Sequence, residues 1–274
     1  MRRYKNHFGS LVLALLTHLA AAVTVLVLGF LVSYVLVRGV PNLRPEMFAL
    51  TYTSENQSML PAIINTCTMT LFSLLVAVPF GVGSAIYLVE YAKKGSKIVS
   101  LVRVTTETLS GIPSIVYGLF GMLFFSGKLH FGYSMLSGAL TLSIMILPLI
   151  MRTTEEALLS VPDMYREGSF GLGAGRLRTM VQVILPLVLP GLVAVAIYTF
   201  LNAWDDYLMA LTVVRIDEKR TLTVGLAQSF MGEYSNDYGA LMAFSVAGSL
   251  PIVLLFIFFQ KYMVEGLTAG AVKG

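Results

Sequence analysis

The chain has 274 residues, of which 56% are hydrophobic and only 12% are charged. Soluble domains carry about 25% charged residues, so this composition excludes an ordinary soluble protein and indicates a surface that faces lipid. The net charge of +4 comes without a basic stripe carrying interleaved aromatic residues. The composition therefore argues against a nucleic-acid partner.

Six apolar stretches are candidates for membrane-spanning helices. A crossing needs about 20 mostly apolar residues, and the stretches that reach or approach this length are residues 11–37, 61–92, 98–125, 135–151, 186–214 and 240–260. The first is too long for a removable signal peptide and lacks a small-residue cleavage site. We expect an all-α, polytopic membrane protein with six transmembrane helices.

The positions of lysine and arginine orient these helices. When the N-terminus is placed inside, 13 of the 19 Lys and Arg residues fall in inner segments and 6 in outer ones. Inner segments of membrane proteins carry such an excess. We therefore expect both termini to be cytoplasmic.

Prolines and glycines add detail to the predicted spans. Pro79, Pro113 and Pro148 fall inside them, where each would bend its helix. The glycine pairs at residues 81 and 83 and at residues 118 and 121 predict close helix contacts, because small residues let backbones approach.

No pattern typical of an enzyme or a metal site is present in the sequence. His7, His18 and His130 are too scattered for ligand spacing, and Cys67 is the only cysteine. The nearest match to a phosphate-binding loop, residues 121–128, has one residue too many between its glycines and Leu129 where Ser or Thr belongs. We expect no catalytic residue, no metal and no cofactor in this chain.

The longest cytoplasmic segment, residues 152–185, interrupts the apolar pattern. Ser160 reads as a helix cap, with Pro162 in the first turn and Asp163 after it. Glycines at 171 and 173 then end this helix, and a second amphipathic stretch follows. We expect two short helices joined at the glycines, which would project toward a partner.

This segment resembles the signature of ABC importer permeases: Glu-Ala-Ala, three residues, Gly, nine residues, Ile-x-Leu-Pro. The spacing is intact, with Gly and Ser replacing the two Ala and Val replacing Ile. The resemblance implies the type I ABC importer permease fold and a loop that couples the permease to an ATPase. The matching residues are Glu167, Gly168, Ser169, Gly173, Val183, Leu185 and Pro186.

The resemblance also implies partners and a location. The partners would be a second permease subunit in a heterodimer, two cytoplasmic ATPases that hydrolyse ATP, an extracytoplasmic substrate-binding protein, and membrane lipid. The location would be the inner membrane of a prokaryote. Residues 1–60 would form a tail, the first helix and an outer loop, residues 61–260 the permease core, and residues 261–274 a cytoplasmic tail.

Residues 60–186 resemble the permeases of phosphate importers, through residues 61–66, 85–92, 107–119 and 152–156. Arg152 lies at a position where that family also has an arginine. A guanidinium can hold phosphate oxygens with two hydrogen bonds, which makes Arg152 a candidate for the substrate path. The alternative is an anchor at the inner membrane interface.

Residues 197–274 instead resemble the permeases of sugar importers, through residues 202–208, 221–226, 238–242 and 258–274. Asn202 and Asp206 take the places of an arginine and a glutamate that the phosphate permeases carry on the fifth helix. Asn202, Trp204, Asp205 and Asp206 are candidates for the substrate path, because carboxylates and an indole ring suit sugars whereas carboxylates repel phosphate. The alternative places the two acids at the outer mouth, against the binding protein.

We therefore expect the permease subunit of an ATP-driven importer that works by alternating access. Inorganic phosphate is the expected substrate, and a sugar is the alternative. A secondary transporter acting alone would need inverted repeats or paired intramembrane charges, and a membrane-embedded enzyme would need a nucleophile–base pair or metal ligands. Neither pattern is evident in the sequence.

Overall fold

The computed structural model describes residues 8–53, 56, 58–93, 95–230 and 237–271. Over these residues the regular structure is helical, and no strand is formed. Five helices are long and apolar enough to cross a membrane, and there are six crossings if one bent helix pair counts as a single span. The predicted all-α, multi-span architecture is confirmed.

The helices are numbered in chain order along the described residues. They are α1 (Phe8–Gly39), α2 (Leu60–Ile86), α3 (Lys97–Ser110), α4 (Ser114–Gly121), α5 (Met135–Ser160), α6 (Asp163–Gly171), α7 (Arg176–Thr179), α8 (Leu185–Trp204), α9 (Leu208–Val213), α10 (Leu222–Phe230) and α11 (Tyr238–Ala271). Short π-helical segments continue α2, α4 and α7 over Tyr87–Tyr91, Met122–Lys128 and Met180–Ile184. The last of these joins α7 to α8, so that Arg176–Trp204 is one span.

Helices α2 and α5 form the centre of the bundle. Ser73 Oγ on α2 donates to the carbonyl of Ala139 on α5 at 2.9 Å, and Ser143 Oγ donates back to the carbonyl of Ser73 at 3.3 Å. In lipid no hydrophobic driving force brings helices together. Small residues and interhelical hydrogen bonds of this kind therefore hold them in contact. The buried apolar side chains around this contact include Met69, Leu142, Ile150, Met209 and Val213.

Helix α1 lies at the edge of the bundle. No residue of its most apolar window is buried within the chain, and its main neighbour is α11. A Cβ at Gly39 would lie 2.6 Å from the carbonyl oxygen of Met242, so glycine allows the end of α1 to approach α11. The remaining apolar circumference suits lipid or another subunit.

Residues 98–125, predicted as one spanning helix that Pro113 bends, form two separate helices. Helices α3 and α4 meet at an angle of 100°. Pro113 lies at the N-cap of α4 and not inside a helix, because proline lacks an amide hydrogen and disfavours the helical conformation in the residue before it. Pro79 and Pro148 do lie inside α2 and α5, as predicted.

Two other predicted spans end at different residues. The apolar run of the fourth ends at Met151, and its helix was expected to gain a few residues at one end; α5 does extend beyond the run, to Ser160, because a helix does not have to end where its apolar run ends. The fifth was expected to cover residues 186–214, but α8 stops at Trp204 and α9 is a separate short helix. Asp206 explains the break: its Oδ2 accepts a hydrogen bond from the amide of Ala210 at 3.1 Å, which satisfies an amide in the first turn of α9.

Three of the four predicted packing glycines lie at close helix contacts. A Cβ at Gly81 would lie 2.6 Å from Ile150 Cγ2, one at Gly118 would lie 3.0 Å from the Cα of Met209, and one at Gly121 would lie 2.7 Å from Thr141 Cγ2. Gly83 differs, since a Cβ there would meet no atom within 4 Å. The contact predicted for Gly83 is therefore absent among the described residues.

Candidate functional site

The segment between α5 and α8 folds as two short helices joined at a glycine, as the sequence predicts. Pro162 precedes α6 and Asp163 occupies its first turn, where a carboxylate is favoured by the helix dipole. Gly173 has φ of +82°, a left-handed conformation that glycine adopts without a steric penalty. We call residues 161–179, which include both short helices, the knuckle.

The predicted cap of α6 is wrong. Ser160 is the last residue of α5, and its hydroxyl donates to the carbonyl of Ala157 at 2.7 Å. A serine near the end of a helix can make this backward bond to its own helix, so the side chain is not available to α6.

The knuckle is shorter than the predicted coupling loop of residues 152–185. Arg152 and the residues up to Ser160 belong to α5. Leu185 and Pro186 belong to the start of α8, directly after the π-helical segment Met180–Ile184. The stretches at both ends of the predicted loop therefore extend the long helices, and the projecting part lies between them.

The signature residues Glu167, Gly168, Ser169 and Gly173 lie on the knuckle, whereas Val183 lies in the π-helical segment that joins α7 to α8. Glu167 and Gly168 are exposed on α6. Ser169 Oγ lies 2.8 Å from Thr179 Oγ1, and Thr179 is buried. Ser169 thus ties α6 to α7, while Glu167 and Gly168 are accessible to another molecule.

Large apolar side chains surround α6 and are exposed, which the sequence analysis did not single out. Leu172 is 92% exposed, and Met164 and Leu177 are each 70% exposed. Helix α6 itself has no buried residue. We call Met164, Leu172 and Leu177 the knuckle patch; large apolar side chains exposed together in a short polar segment are typical of interaction surfaces. The available signal was the occurrence of large apolar residues in a segment too polar to enter lipid.

A second feature is an open groove at the break between α8 and α9. Its volume is about 560 Å³, and Asn202, Asp205 and Asp206 line it together with Ser114, Tyr198, Leu201, Tyr207 and Leu208. Three of the predicted path residues are therefore brought together. The sequence did not single out Tyr198, Tyr207 or Ser114 as groove residues. Ser114 lies on α4 and reaches the groove only through the packing of α4 against α9.

The groove is acidic and rich in hydrogen-bonding groups. Asp205 is exposed, and Asp206 is partly buried. The carbonyl of Asp206 accepts from Thr223 Oγ1 at 2.8 Å, while the amide of Asn202 donates to the carbonyl of Tyr198 at 2.8 Å. No Lys or Arg is among the lining residues. The arrangement offers acceptors for hydroxyl groups and no cation for an anion.

Trp204, the fourth predicted path residue on this segment, lies in the core. Its side chain is only 2% exposed, and its ring stacks on Phe200 with centroids 5.5 Å apart. A ring buried in this way contributes packing, so the indole is not a wall of the groove. Trp204 and Asp205 also line a neighbouring groove of about 680 Å³, together with residues of α10 and α11.

Arg152 lies elsewhere, between α3 and α5. Its Nε donates to Glu156 at 3.1 Å, and its Nη1 lies 4.0 Å from Glu107. Arg103 pairs with Glu155 in the same groove, which has a volume of about 320 Å³. The structure therefore does not bring Arg152 together with Asn202, Asp205 and Asp206.

Among the described residues, no group of three or more His, Cys, Asp and Glu side chains is arranged to hold a metal ion. The polar groups of the grooves are instead hydroxyls, amides, carboxylates and guanidinium groups.

Comparison with known proteins gives the family. Residues 77–268 match the family model described as binding-protein-dependent transport system inner membrane component. The probable ABC transporter permease protein YqgI of Bacillus subtilis is 34% identical over 182 residues, covering 65% of this chain and 61% of that protein.

Two further relatives have named substrates. The diacetylchitobiose uptake system permease protein DasC of Streptomyces coelicolor is 37% identical over 145 residues, covering 52% of each protein. The phosphate transport system permease protein PstA 1 of Mycobacterium tuberculosis is 35% identical over 133 residues, covering 48% of this chain and 43% of that protein. Each of these matches spans less than two thirds of the relative's length.

A solved structure shares the fold over almost the whole chain. It is the crystal structure of a bacterial ABC transporter involved in the import of the acidic polysaccharide alginate, with a TM-score of 0.67 and 16% identity, covering 93% of this chain and 98% of that one. The chain therefore has the type I ABC importer permease fold and belongs to the family of binding-protein-dependent transport system inner membrane components.

Proposed function

We propose that this chain is the permease subunit of an ATP-driven importer and that its substrate is a sugar. It would pair with a second, different permease subunit, two cytoplasmic ATPases and an extracytoplasmic binding protein. Solute would cross between the permeases by alternating access, and ATP would be hydrolysed by the partners, so the chain itself would have no catalytic role. The acidic groove between α8 and α9 is the observation that carries the sugar assignment.

The knuckle supports the contact with an ATPase. It is the segment where the chain leaves the long helices on the side that also holds Arg176 and Arg178, which the excess of positive charge assigns to the cytoplasm. Its exposed apolar patch would gain from burial in a partner's cleft at about 25 cal/mol per Å². The proposal gives Glu167, Gly168, Ser169 and Gly173 the role of coupling this contact to the helices.

A substitution in the knuckle patch tests the contact. Leu172→Glu should reduce the ATPase subunit that co-purifies with the tagged chain, because a carboxylate would have to enter an apolar interface. Leu50→Glu is the matched control, since Leu50 is 75% exposed and lies in the connection between α1 and α2. Equal recovery of the ATPase with both variants, each at normal membrane levels, would refute the docking role.

The substrate assignment follows from charge. A phosphate 4 Å from a carboxylate is repelled by about 1 kcal/mol per unit charge in water and by about 4 kcal/mol at the effective dielectric of a protein surface. The groove presents Asp205 and Asp206 without a compensating Lys or Arg. A neutral sugar is not repelled by these carboxylates, and its hydroxyl groups can donate to them and to the tyrosine hydroxyls.

Phosphate is the second candidate, favoured by the similarity to the permease PstA 1 and by Arg152. The guanidinium of Arg152 is shared between Glu156 and Glu107, and its groove holds two arginines against three glutamates. A phosphate would therefore have to displace a carboxylate from Arg152. This competition is why the geometry favours the sugar.

Uptake by the source organism distinguishes the two substrates. Deletion of the gene should abolish uptake of at least one radiolabelled disaccharide, such as maltose, cellobiose or chitobiose, and leave radiolabelled phosphate uptake unchanged. Asp205→Ala should lower that sugar uptake by about tenfold, the effect of losing about 1.4 kcal/mol of binding. Asp217→Ala, an exposed acid outside the groove, is the control. Loss of phosphate uptake alone would overturn the sugar assignment and make Arg152 the residue to test.

The proposed topology has both termini in the cytoplasm of an inner-membrane protein. A reporter that is active only in the cytoplasm should be active when it is fused to either end of the chain. A reporter placed at Leu50, in the outer loop between α1 and α2, should behave in the opposite way.

A further inference from the structure

Arg166 on α6 is the most heavily engaged side chain of the knuckle. Its Nε and Nη2 both donate to Glu90 Oε1, at 2.9 and 2.8 Å. Nη2 also donates to the carbonyl of Leu158 at 2.9 Å, and Nη1 donates to the carbonyl of Val161 at 2.9 Å. The side chains of Arg166 and Glu90 are only 13% and 15% exposed, so water competes little for these bonds.

These contacts join three elements. Glu90 lies in the π-helical segment Tyr87–Tyr91 that ends α2, and Leu158 lies in the last turn of α5. One guanidinium thus bridges α6, the end of α2 and the end of α5. Ion pairs that are mostly buried are screened little by solvent, and π-helical segments are frequent at functional sites.

An arginine is needed for this arrangement. The guanidinium is planar and offers five donors in a fixed fork, whereas an ammonium group is a single charged point on a flexible chain. Arg166 uses three of its nitrogens on acceptors from two side chains and two backbone carbonyls. Asp163 is also a partner at 3.2 Å, but its side chain is 81% exposed, so it adds little to the link.

We propose that Arg166 is a positioning residue that locks the knuckle to the cytoplasmic ends of α2 and α5, so that α6 and α2 move as one body when the ATPases close. This inference rests on the proposed coupling role of the knuckle. A displacement of α6 would enter the bundle through the mostly buried Arg166–Glu90 pair into α2, and from α2 into α5 along their shared contact.

The distance between α2 and α6 in the whole transporter tests the proposal. Spin labels would be placed at Leu75→Cys on α2 and Tyr165→Cys on α6, with the one cysteine of this chain removed as Cys67→Ser. The complex would be purified through a tag on this chain. Pulsed electron paramagnetic resonance would then give the distance between the two labels without nucleotide and in the vanadate-trapped state. A complex in which this chain carries no cysteine would give the background signal from labelled cysteines of the partners.

The unaltered pair should give the same narrow distance in both states. In Arg166→Gln and in Glu90→Gln the distribution should broaden or shift by more than about 2 Å, the size of a helix shift at an interface. Arg166→Lys should behave like Arg166→Gln, because an ammonium cannot reach all the acceptors. Asp163→Asn is the matched control and should keep the narrow distance.

A shift between states in the unaltered pair would overturn the proposal, as would an equally narrow, constant distance in Arg166→Gln and Glu90→Gln. The measurement on the unaltered pair decides the question even where a variant does not assemble. Failure of the underlying coupling role looks different: no ATPase would co-purify and no vanadate-trapped state would form.

Discussion

Gly173→Ala tests whether the knuckle depends on the backbone conformation that glycine permits at this position, because the space around it can accept a side chain. Gly173 has φ of +82°, and a Cβ there would meet no atom within 4 Å, so alanine adds strain without a clash. A residue with a Cβ in the left-handed region costs about 1–2 kcal/mol. A cost of this size corresponds to a factor of about 5–30 in an equilibrium constant, and we expect the affinity of the knuckle for its ATPase to fall by that factor.

A series at the same position sharpens the test. Gly173→Asn should retain more affinity than Gly173→Ala, because asparagine tolerates the left-handed conformation, and Gly173→Val should retain least. The assay is the amount of ATPase that co-purifies with the tagged chain across a range of salt, together with uptake and membrane levels of the chain. Gly175→Ala is the control, since Gly175 has φ of −75° and also has open space around it. Equal affinities for Gly173→Ala and Gly175→Ala would refute the argument.

Three further substitutions follow from the packing. Gly121→Ala should destabilise the chain by about 1–3 kcal/mol through overpacking against Thr141, whereas Gly83→Ala should not, and thermal unfolding in detergent would compare them. Thr66→Val should lower the free energy of unfolding by about 1–3 kcal/mol, because Thr66 Oγ1 accepts a hydrogen bond from the buried amide of Leu222 at 2.7 Å. Faster hydrogen exchange in α10 would report this loss, and Thr68→Val, at an exposed position, is the control. Arg152→Gln should change stability by less than about 1 kcal/mol, since its ion pairs are exposed. Arg166→Gln should cost more, with about 3–5 kcal/mol as the upper bound, because it leaves unpaired a carboxylate whose side chain is only 15% exposed. Equal melting temperatures of the two arginine variants would contradict this difference.

The long helices could be predicted because apolar runs of the required length have few alternatives in lipid. Their ends could not, because composition reports where lipid stops and hydrogen bonding decides where a helix stops. α5 runs past Met151 to Ser160, and α8 ends at Trp204, where Asp206 binds the amide of Ala210. The bend at Pro113 shows the same limit: proline was identified, but the 100° turn depends on how α3 and α4 pack.

The candidate site was predictable where the chain itself carries the geometry. The glycine turn and the two short helices of the knuckle follow from local residue types, and they form as expected. Trp204 was not predictable as a core residue, because a tryptophan beside two acids gives no sign of which neighbour covers its ring. Arg166 was missed for a related reason: Glu90, its partner, lies on another helix, and a single sequence does not show pairs that distant.

The position of the knuckle relative to the groove bears on how the two could communicate. The span Arg176–Trp204 begins in the knuckle, with α7, and ends at the acidic groove, a length of about 40 Å at 1.5 Å per residue. Its first part packs into a cluster shared with α2 and α5, made of Ala85, Leu158, Val161, Met180, Ile184 and Val188. Well-packed interiors deform little and transmit strain. A displacement of the knuckle would therefore act on three helices at once, and Asp205 would move with the far end of one of them.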